Sequence, residues 1–325
     1  MTGFEQRLLK LRALNDWLNG YLLISGSDIP EEYSELDATV KQAHIYNPWF
    51  IELFNRRALT DFADWLKNNI LSESIQSLVF DEQEVAKKIA LLPIPNVALS
   101  GIEEAILLYL AGHRVVLRNK DHKHDLFQFL TQSLVATTES QDGLLWVNTF
   151  PRNIDGWVIF EQPNQNAIRQ YFNIRKSIFL PVEKQFTVLN GNEDAAYLNR
   201  LADDIFIYWG FSPNNVRKLL VPEKYDFNTL FEALEKYSFL YQCNCYANNY
   251  DYHKSVLLMN RIPFLDNGFI LLREDASKDV PIGCLHYSCF STVKEENELR
   301  HLSSESKEHS FQNNSKLLMD FIQSF

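Results

Sequence analysis

From residue 85 to residue 290, short apolar runs alternate with segments spaced for helices, and this alternation narrows the possible folds more than anything else in the chain. "VAKKIALLPIP" ends in a strand signal, "SGIEEAILLYLAGH" has helical spacing, "RVVLR" is a strand and "HDLFQFLTQSLV" a helix; "GLLWVNTF" and "GWVIFE" are strands, and "NQNAIRQYF" is a short helix. Elements of this length in this order build βαβ units and a parallel sheet, and right-handed crossovers put helices on both faces. Ser100 is placed to cap this helix, Glu103 completes an S-x-x-E capping box, and Gly112 stops the helix.

A second series follows. "QFTVLNG" reads as a strand, "EDAAYLNRLADDIFIYWG" as one long helix and "VRKLLVP" as a strand; "FNTLFEALEKYSF" and "DYHKSVLLMN" read as helices, and "GFILLRE" and "PIGCLHYSCF" as strands. Residues 1–75 are helical in pattern, with Leu8, Leu11, Leu14 and Leu18, then Leu59, Phe62 and Leu66, near helical spacing. The expected organisation is a helical region over 1–75, a cofactor-binding type of Rossmann-like domain over 76–184, a catalytic type of α/β domain over 185–292 and a charged, Ser-rich tail over 293–325.

The net charge of −11 argues against nucleic acid or an anionic membrane as the main partner, since both select basic surfaces. No apolar run reaches the roughly 18 residues of a membrane span. The first residues, "MTGFEQRLLKLRALNDWL", lack a secretory apolar core. Four cysteines in 325 residues are too few for a disulfide framework, so a reducing, cytoplasmic setting is expected.

Familiar cofactor loops are missing: neither G-x-G-x-x-G nor a Walker-type loop occurs. His122 and His124 are two apart and diverge on a helix, and the C-x-C of Cys243 and Cys245 has no second pair at zinc spacing, so no metal is expected. Cys243 and Cys245 precede a helix, a position that can favour a thiolate; the alternative is that all four thiols are buried and inert.

Several long motifs then resemble one family. "YANNYDYHKSVLLMNRIPFLDNGFILLRED" is similar to the corresponding stretch of LuxC-type acyl-CoA reductases. "NPWF" at 47–50 resembles that family's N-terminal element, and "PNVALSGIEEAILLYLAGHRVVLRNKDH" its "GNIPLVG…GH…KD" segment. "FTVLNGNE" resembles "VAVLTGNE", and "DDIFIYWGFSPNNVRKLLVPEKYDF" resembles "EDIFRYFGLGCRNVSKLFVPKGYDF"; the matches run in order over roughly residues 44 to 290. The resemblance implies an aldehyde-dehydrogenase-like fold, two Rossmann-like doubly wound α/β domains after a helical region. It also implies NADPH-dependent reduction of a fatty acyl-CoA or other acyl thioester to an aldehyde. In that chemistry a thiolate attacks the thioester, an asparagine and a backbone N–H steady the oxyanion, and a nicotinamide delivers hydride. Acyl-synthetase or transferase partners and oligomers go with the family.

Carried over residue by residue, the oxyanion-type asparagine is Asn96. Gly101, Gly112 and His113 match framework positions. Lys120 and Asp121 match residues near the cofactor ribose, and Asn190 and Gly191 match the "TG" of "LTGNE". The departures fall on the chemistry. Pro213 stands where the family has its nucleophilic cysteine, and proline also lacks the backbone N–H. Glu161, Gln162 and Pro163 replace the "TGS" turn that approaches the cofactor, and a carboxylate there repels a pyrophosphate. Two readings follow: a reductase whose thiol has moved to Cys243 or Cys245, with Ser212 as a hydroxyl substitute, or a homologue that binds acyl groups or a partner without turnover.

Overall fold

The computed structural model describes residues 3–26, 28–70, 86–119, 125–135, 143–161, 165–172, 175–182, 185–277 and 279–325. They divide into two compact units, Met1–Pro181 with Ser315–Phe325, and Val182–Asn314.

The first unit opens with three helices, α1 (Gly3–Leu22), α2 (Ser34–Tyr46) and α3 (Glu52–Trp65), the last continuing as a π-helical turn to Ile70. Their apolar faces bury Leu11, Leu18, Leu36, Val40, Leu59 and Phe62. Asp37 joins all three: it accepts from Tyr21 Oη at 3.0 Å and from Arg56 Nη2 at 3.1 Å. The sheet comprises β1 (Lys88–Leu92), β2 (Arg114–Arg118), β3 (Leu144–Val147), β4 (Gly156–Phe160) and β5 (Ser177–Leu180), with α4 (Ile102–Leu110), α5 (Leu126–Val135) and α6 (Gln165–Phe172) in the crossovers. Its order is β3-β2-β1-β4-β5 and every pairing is parallel. Every residue of β4 is buried, as expected of a central strand covered on both faces. Ala90, Val116, Trp157, Ile159 and Phe172 form one layer of the core. The end of the chain closes this unit's core. Phe321 and Phe325 lie where a side chain at Gly156 would otherwise project, and Lys176 Nζ sits 3.4 Å from the Phe325 ring centroid.

The second unit contains β6 (Gln185–Val188), α7 (Ala195–Phe206), β7 (Val216–Pro222), α8 (Asn228–Leu234), α9 (Asn244–Met259), β8 (Leu265–Asp266), β9 (Leu271–Glu274) and β10 (Cys284–Phe290). A long helix, α10 (Val293–Gln323), follows; its residues to Asn314 count with this unit and those from Ser315 with the first. The order is β6-β7-β10-β9-β8, parallel except for the β8–β9 pair. The pairing of β6 with β7 slips at Gln185 and Phe186, which face Val216 and Lys218 and leave Arg217 as the extra residue of a bulge.

The α/β class with parallel, Rossmann-like sheets behind a helical N-terminal region is therefore as expected. Three local expectations are corrected. Ser100 does not cap α4: Gly101 holds the N-cap position at φ 81°, and Ser100 Oγ accepts from the Ile94 amide at 3.0 Å instead. The predicted long helix through "IFIYWG" ends at Phe206, where the backbone turns left-handed. The helix after Phe227 tightens after Leu234 into a 3-10 stretch, Glu235–Gln242.

Candidate functional site

In the first sheet the strand order reverses between β1 and β4, and open parallel sheets take ligands at the carboxyl ends of the strands beside such a reversal. Asn96 lies beyond the end of β1 and Glu161 directly after β4. The β1–α4 turn is tightly wound, with Asn96 at φ 64°, Leu99 at φ 57° and Gly101 at φ 81°. A Cβ at Gly101 would lie 3.2 Å from Pro93 Cβ and 3.5 Å from the Phe160 ring, so glycine lets the turn pack onto the end of β4. Asn96 tolerates its left-handed backbone better than most residues. Its Oδ1 accepts from Asn47 Nδ2 at 3.3 Å, which brings "NPWF" and the candidate oxyanion residue together.

Beyond β2 and β3, Asn119 Nδ2 donates to Asn148 Oδ1 at 2.7 Å, and Gln128 Nε2 donates to Asn119 Oδ1 at 3.4 Å. Glu161 is not an isolated charge: Arg169 of α6 pairs with it while lying 4.6 Å from the Phe179 ring centroid. The repulsion expected of Glu161 is thus answered by a neighbouring guanidinium. Lys120, Asp121, His122, His124, Gln162 and Pro163 lie outside the described residues. Gly112, at φ 85°, follows the end of α4, and His113 is buried against Phe325.

In the second unit, Asn190 and Gly191 follow β6 in an exposed loop. Their amides are engaged within the chain: Asn190 N donates to Glu193 Oε1 at 2.5 Å and Gly191 N to Glu193 Oε2 at 3.2 Å. Tyr225 Oη donates to the same carboxylate at 3.1 Å, and burial together with Glu193 raises its phenol pKa. A carboxylate of the protein thus fills the anion-accepting backbone of this loop.

The turn before β7 carries Ser212 and Pro213. Tyr208, Trp209 and Gly210 are consecutive left-handed residues, at φ 53°, 61° and 77°. Two aromatic residues in that region cost roughly 1–2 kcal/mol each, which the surrounding contacts must offset. Trp209 is buried with its ring 5.9 Å from that of Tyr246, and Asn215 clamps the turn by donating from Nδ2 to Asp204 O and Ile207 O, both at 2.9 Å. Arg217, the bulge residue, is buried beneath it and donates from Nη2 to Val280 O and Pro281 O, both at 2.7 Å. Burial brings its pKa down to about 10. Asn215 N donates to Ser212 O at 3.1 Å and Asn214 N to Ser212 Oγ at 3.4 Å, so the Ser212 hydroxyl accepts inside its own turn.

Cys243 is the N-cap residue of α9 and Cys245 lies in its first turn, not ahead of the helix as expected. A helix N-terminus favours a thiolate, but burial acts against it here: it raises the Cys243 thiol and takes Cys245 to about 11. Cys284 is likewise pushed up to about 11 by burial, and all four cysteines are free. Glu103 and Glu104, in the first turn of α4, are both raised by burial, Glu103 further by Glu104 and Asp61. Among the described residues, no three His, Cys, Asp or Glu side chains converge as metal ligands, and no helix is long and apolar enough to cross a membrane.

No protein-family model matches the sequence, and no curated protein matches it at a significant level. Solved structures do. Aldehyde dehydrogenase 21 from Physcomitrella patens, in complex with the reaction product succinate, aligns over 92% of this chain and 71% of its own at 12% identity and a TM-score of 0.61. Aldehyde dehydrogenase C from Pseudomonas syringae, in complex with NAD+ and octanal, aligns over 92% and 70% at 12% identity and a TM-score of 0.59. An aldehyde dehydrogenase from Bartonella henselae aligns over 92% and 72% at 11% identity and a TM-score of 0.56. The fold is that of the aldehyde dehydrogenases.

Within that fold, reading the sequence left three contributors without a role. Asn47 was one letter of a matching motif, and its partner Asn96 lies 49 residues away, which spacing does not reveal. Glu193 had a visible signal, an acid three residues after Asn190 in a Gly-containing turn. Arg217 had another, a cation in the apolar strand "VRKLLVP".

Proposed function

We propose that this chain is a LuxC-type acyl-CoA reductase homologue that binds a fatty acyl thioester on an aldehyde-dehydrogenase frame without forming an acyl-enzyme. The observation that carries this reading is the turn before β7. Asn215 and Arg217 hold a strained turn around Pro213, the position that the resemblance assigns to the family's nucleophile. Asn96 reads the thioester carbonyl through its amide. Burial favours the protonated thiol at Cys243 and Cys245, which weighs against a displaced nucleophile there. The Ser212 hydroxyl accepts from the Asn214 amide in its own turn, and a hydroxyl is a poor nucleophile at neutral pH.

A nicotinamide dinucleotide, NADPH by resemblance, would lie at the carboxyl end of the first sheet near Asn119, Asn148 and Arg169, whose polar groups would have to exchange their present partners to hold it. It would supply hydride when bound. The loop at Asn190 and Gly191 does not fit a phosphate, because Glu193 takes its amides. A bound acyl group without an acyl-enzyme step suits a carrier role beside an acyl-synthetase or transferase.

The test mixes purified protein with NADPH and acyl-CoAs of several chain lengths and follows nicotinamide absorbance, with acyl-CoA and NADPH binding measured separately by calorimetry. Acyl-CoA binding without turnover is expected. Turnover that dies with Cys243→Ala or Cys245→Ala would overturn the reading in favour of a displaced thiol, and absence of acyl-CoA binding would overturn it altogether.

A further inference from the structure

We infer that Asn47 is a positioning residue: it sets which end of the Asn96 amide faces the ligand, and so gives the site its sensitivity to a thioester carbonyl. The inference rests on the acyl-thioester reading above.

The argument is one of donors and acceptors. Asn47 terminates α2, its own amide bonding Ala43 O at 3.0 Å, so its backbone is fixed by the helix. The next residues are held from below. Asn55 is buried and donates from Nδ2 to Val40 O at 2.9 Å and to Phe50 O at 3.0 Å, while Phe50 N donates to Asn47 O at 2.9 Å. Trp49 N donates to Asn47 Oδ1 at 3.1 Å. A backbone N–H can only donate, so the end of the Asn47 amide facing it must be oxygen. Its Nδ2 therefore points the other way, toward Asn96, at 3.3 Å. A donor there requires an acceptor, so the Asn96 end facing Asn47 is Oδ1. The Asn96 Nδ2 is then the end turned away from Asn47, a donor that suits a carbonyl. The order of the chain, Trp49 N–H to Asn47 to Asn96, converts a fixed backbone into a fixed amide orientation. Without it, the two ends of this half-buried amide exchange, and half the orientations present an oxygen that repels a carbonyl.

The backbone around Asn96 agrees with this role. Asn96 and Leu99 are both left-handed within four residues, and such strain persists where surrounding contacts over-determine a conformation. Ser100 supplies one of those contacts through Ile94 N, and Asn47 supplies another.

The experiment compares binding of a fatty acyl-CoA with binding of its S-alkyl-CoA thioether, which keeps the chain and the nucleotide and lacks the carbonyl. It uses the wild-type chain, Asn47→Asp, Asn47→Ala and Asn96→Ala, with melting temperature recorded for each. Asn47→Asp is the decisive variant. Its carboxylate still accepts from Trp49 N–H but cannot donate to Asn96, so the Asn96 amide turns. The wild-type chain is expected to prefer the thioester by about 10-fold, the worth of one good hydrogen bond. Asn47→Asp and Asn96→Ala are expected to lose that preference equally, with thioether affinity unchanged. A preference retained in Asn47→Asp but lost in Asn96→Ala overturns the positioning role and leaves the acyl-thioester reading intact. A wild-type chain that binds neither ligand overturns that reading itself. Equal weakening of both ligands in Asn47→Asp, with a lowered melting temperature, marks Asn47 as purely structural and also overturns the proposal.

Discussion

The turn after β1 and the turn before β7 both hold non-glycine residues in the left-handed region, yet they end in different chemistry. In the first, a short side chain that tolerates the conformation, Asn96, accepts a hydrogen bond from Asn47 of a second element. In the second, Tyr208 and Trp209 take the strain, an asparagine clamp and a buried arginine hold it, and the residue presented is a proline ring. The polar side chain of the first turn bonds to a second element, whereas those of the second turn, Ser212 and Asn215, bond within the turn and to the end of α7. Trp209, Asn215 and Arg217 hold the second turn by packing and hydrogen bonds within the second unit, and that hold does not depend on which residue stands at 213.

The largest expected effect comes from placing a thiol at the position that the proposed function assigns to the nucleophile. Pro213→Cys gives the clamped turn both a thiol and a backbone N–H. With a fatty acyl-CoA, the thiolate would add to the thioester carbonyl, the bond to CoA sulfur would break and CoA would leave as the thiol. Intact-mass spectrometry should then show a single acyl adduct in Pro213→Cys and none in the wild-type chain. If the variant folds normally and stays unmodified over hours, the turn before β7 is not a nucleophile position, and the contrast with the β1 turn loses its chemical meaning.

Next in size is Gly210→Ala. Gly210 sits at φ 77°, and a Cβ there would fall 2.0 Å from Arg217 Nη1. The change adds left-handed strain and displaces a buried guanidinium from two carbonyls, so a loss of at least ~2 kcal/mol in urea denaturation is expected. Gly191→Ala is the control: its φ is 90°, nothing lies within 4 Å of the added carbon, and only the strain of roughly 1–2 kcal/mol should register. Equal losses at both positions would mean that Arg217 does not brace the turn.

Much of the frame was legible in the sequence because it is periodic. "RVVLR" and "GWVIF" announce buried strands, and the helix from Ile102 is evident from apolar spacing. What was not legible depends on backbone hand and on distant partners. "DDIFIYWG" has helical spacing to its end, and only the left-handed Tyr208 and Trp209 show that the helix stops at Phe206. Ser100 and Glu103 have capping spacing, but the turn places Gly101 at the cap and gives the Ser100 hydroxyl to Ile94. Asn96 in the first unit and Pro213 in the second could each be named by motif. The partners of Asn96 and Glu161 could not, since Asn47 and Arg169 reach them through tertiary packing.

The smallest effect expected tests the helix that follows the β1 turn. Glu103 and Glu104 occupy the first turn of α4, where the helix dipole favours a negative charge by typically 0.3–1 kcal/mol. Burial acts in the opposite sense and raises both carboxyls above their ordinary value of 4.5. For an acid whose folded pKa is raised, the folded state binds its proton more tightly than the unfolded state. That contribution to stability is complete below the ordinary pKa and is lost as pH rises through the raised values. The contribution of these two carboxyls to wild-type stability should therefore decline from acidic toward mildly alkaline pH. Glu103→Gln with Glu104→Gln should flatten that decline, gaining on the order of 1 kcal/mol at pH 8 and little at pH 5, as read from denaturant midpoints. If the double variant is instead weaker at pH 8, the dipole outweighs burial, and the end of α4 beside Asn96 carries stabilising negative charge that the turn before β7 lacks.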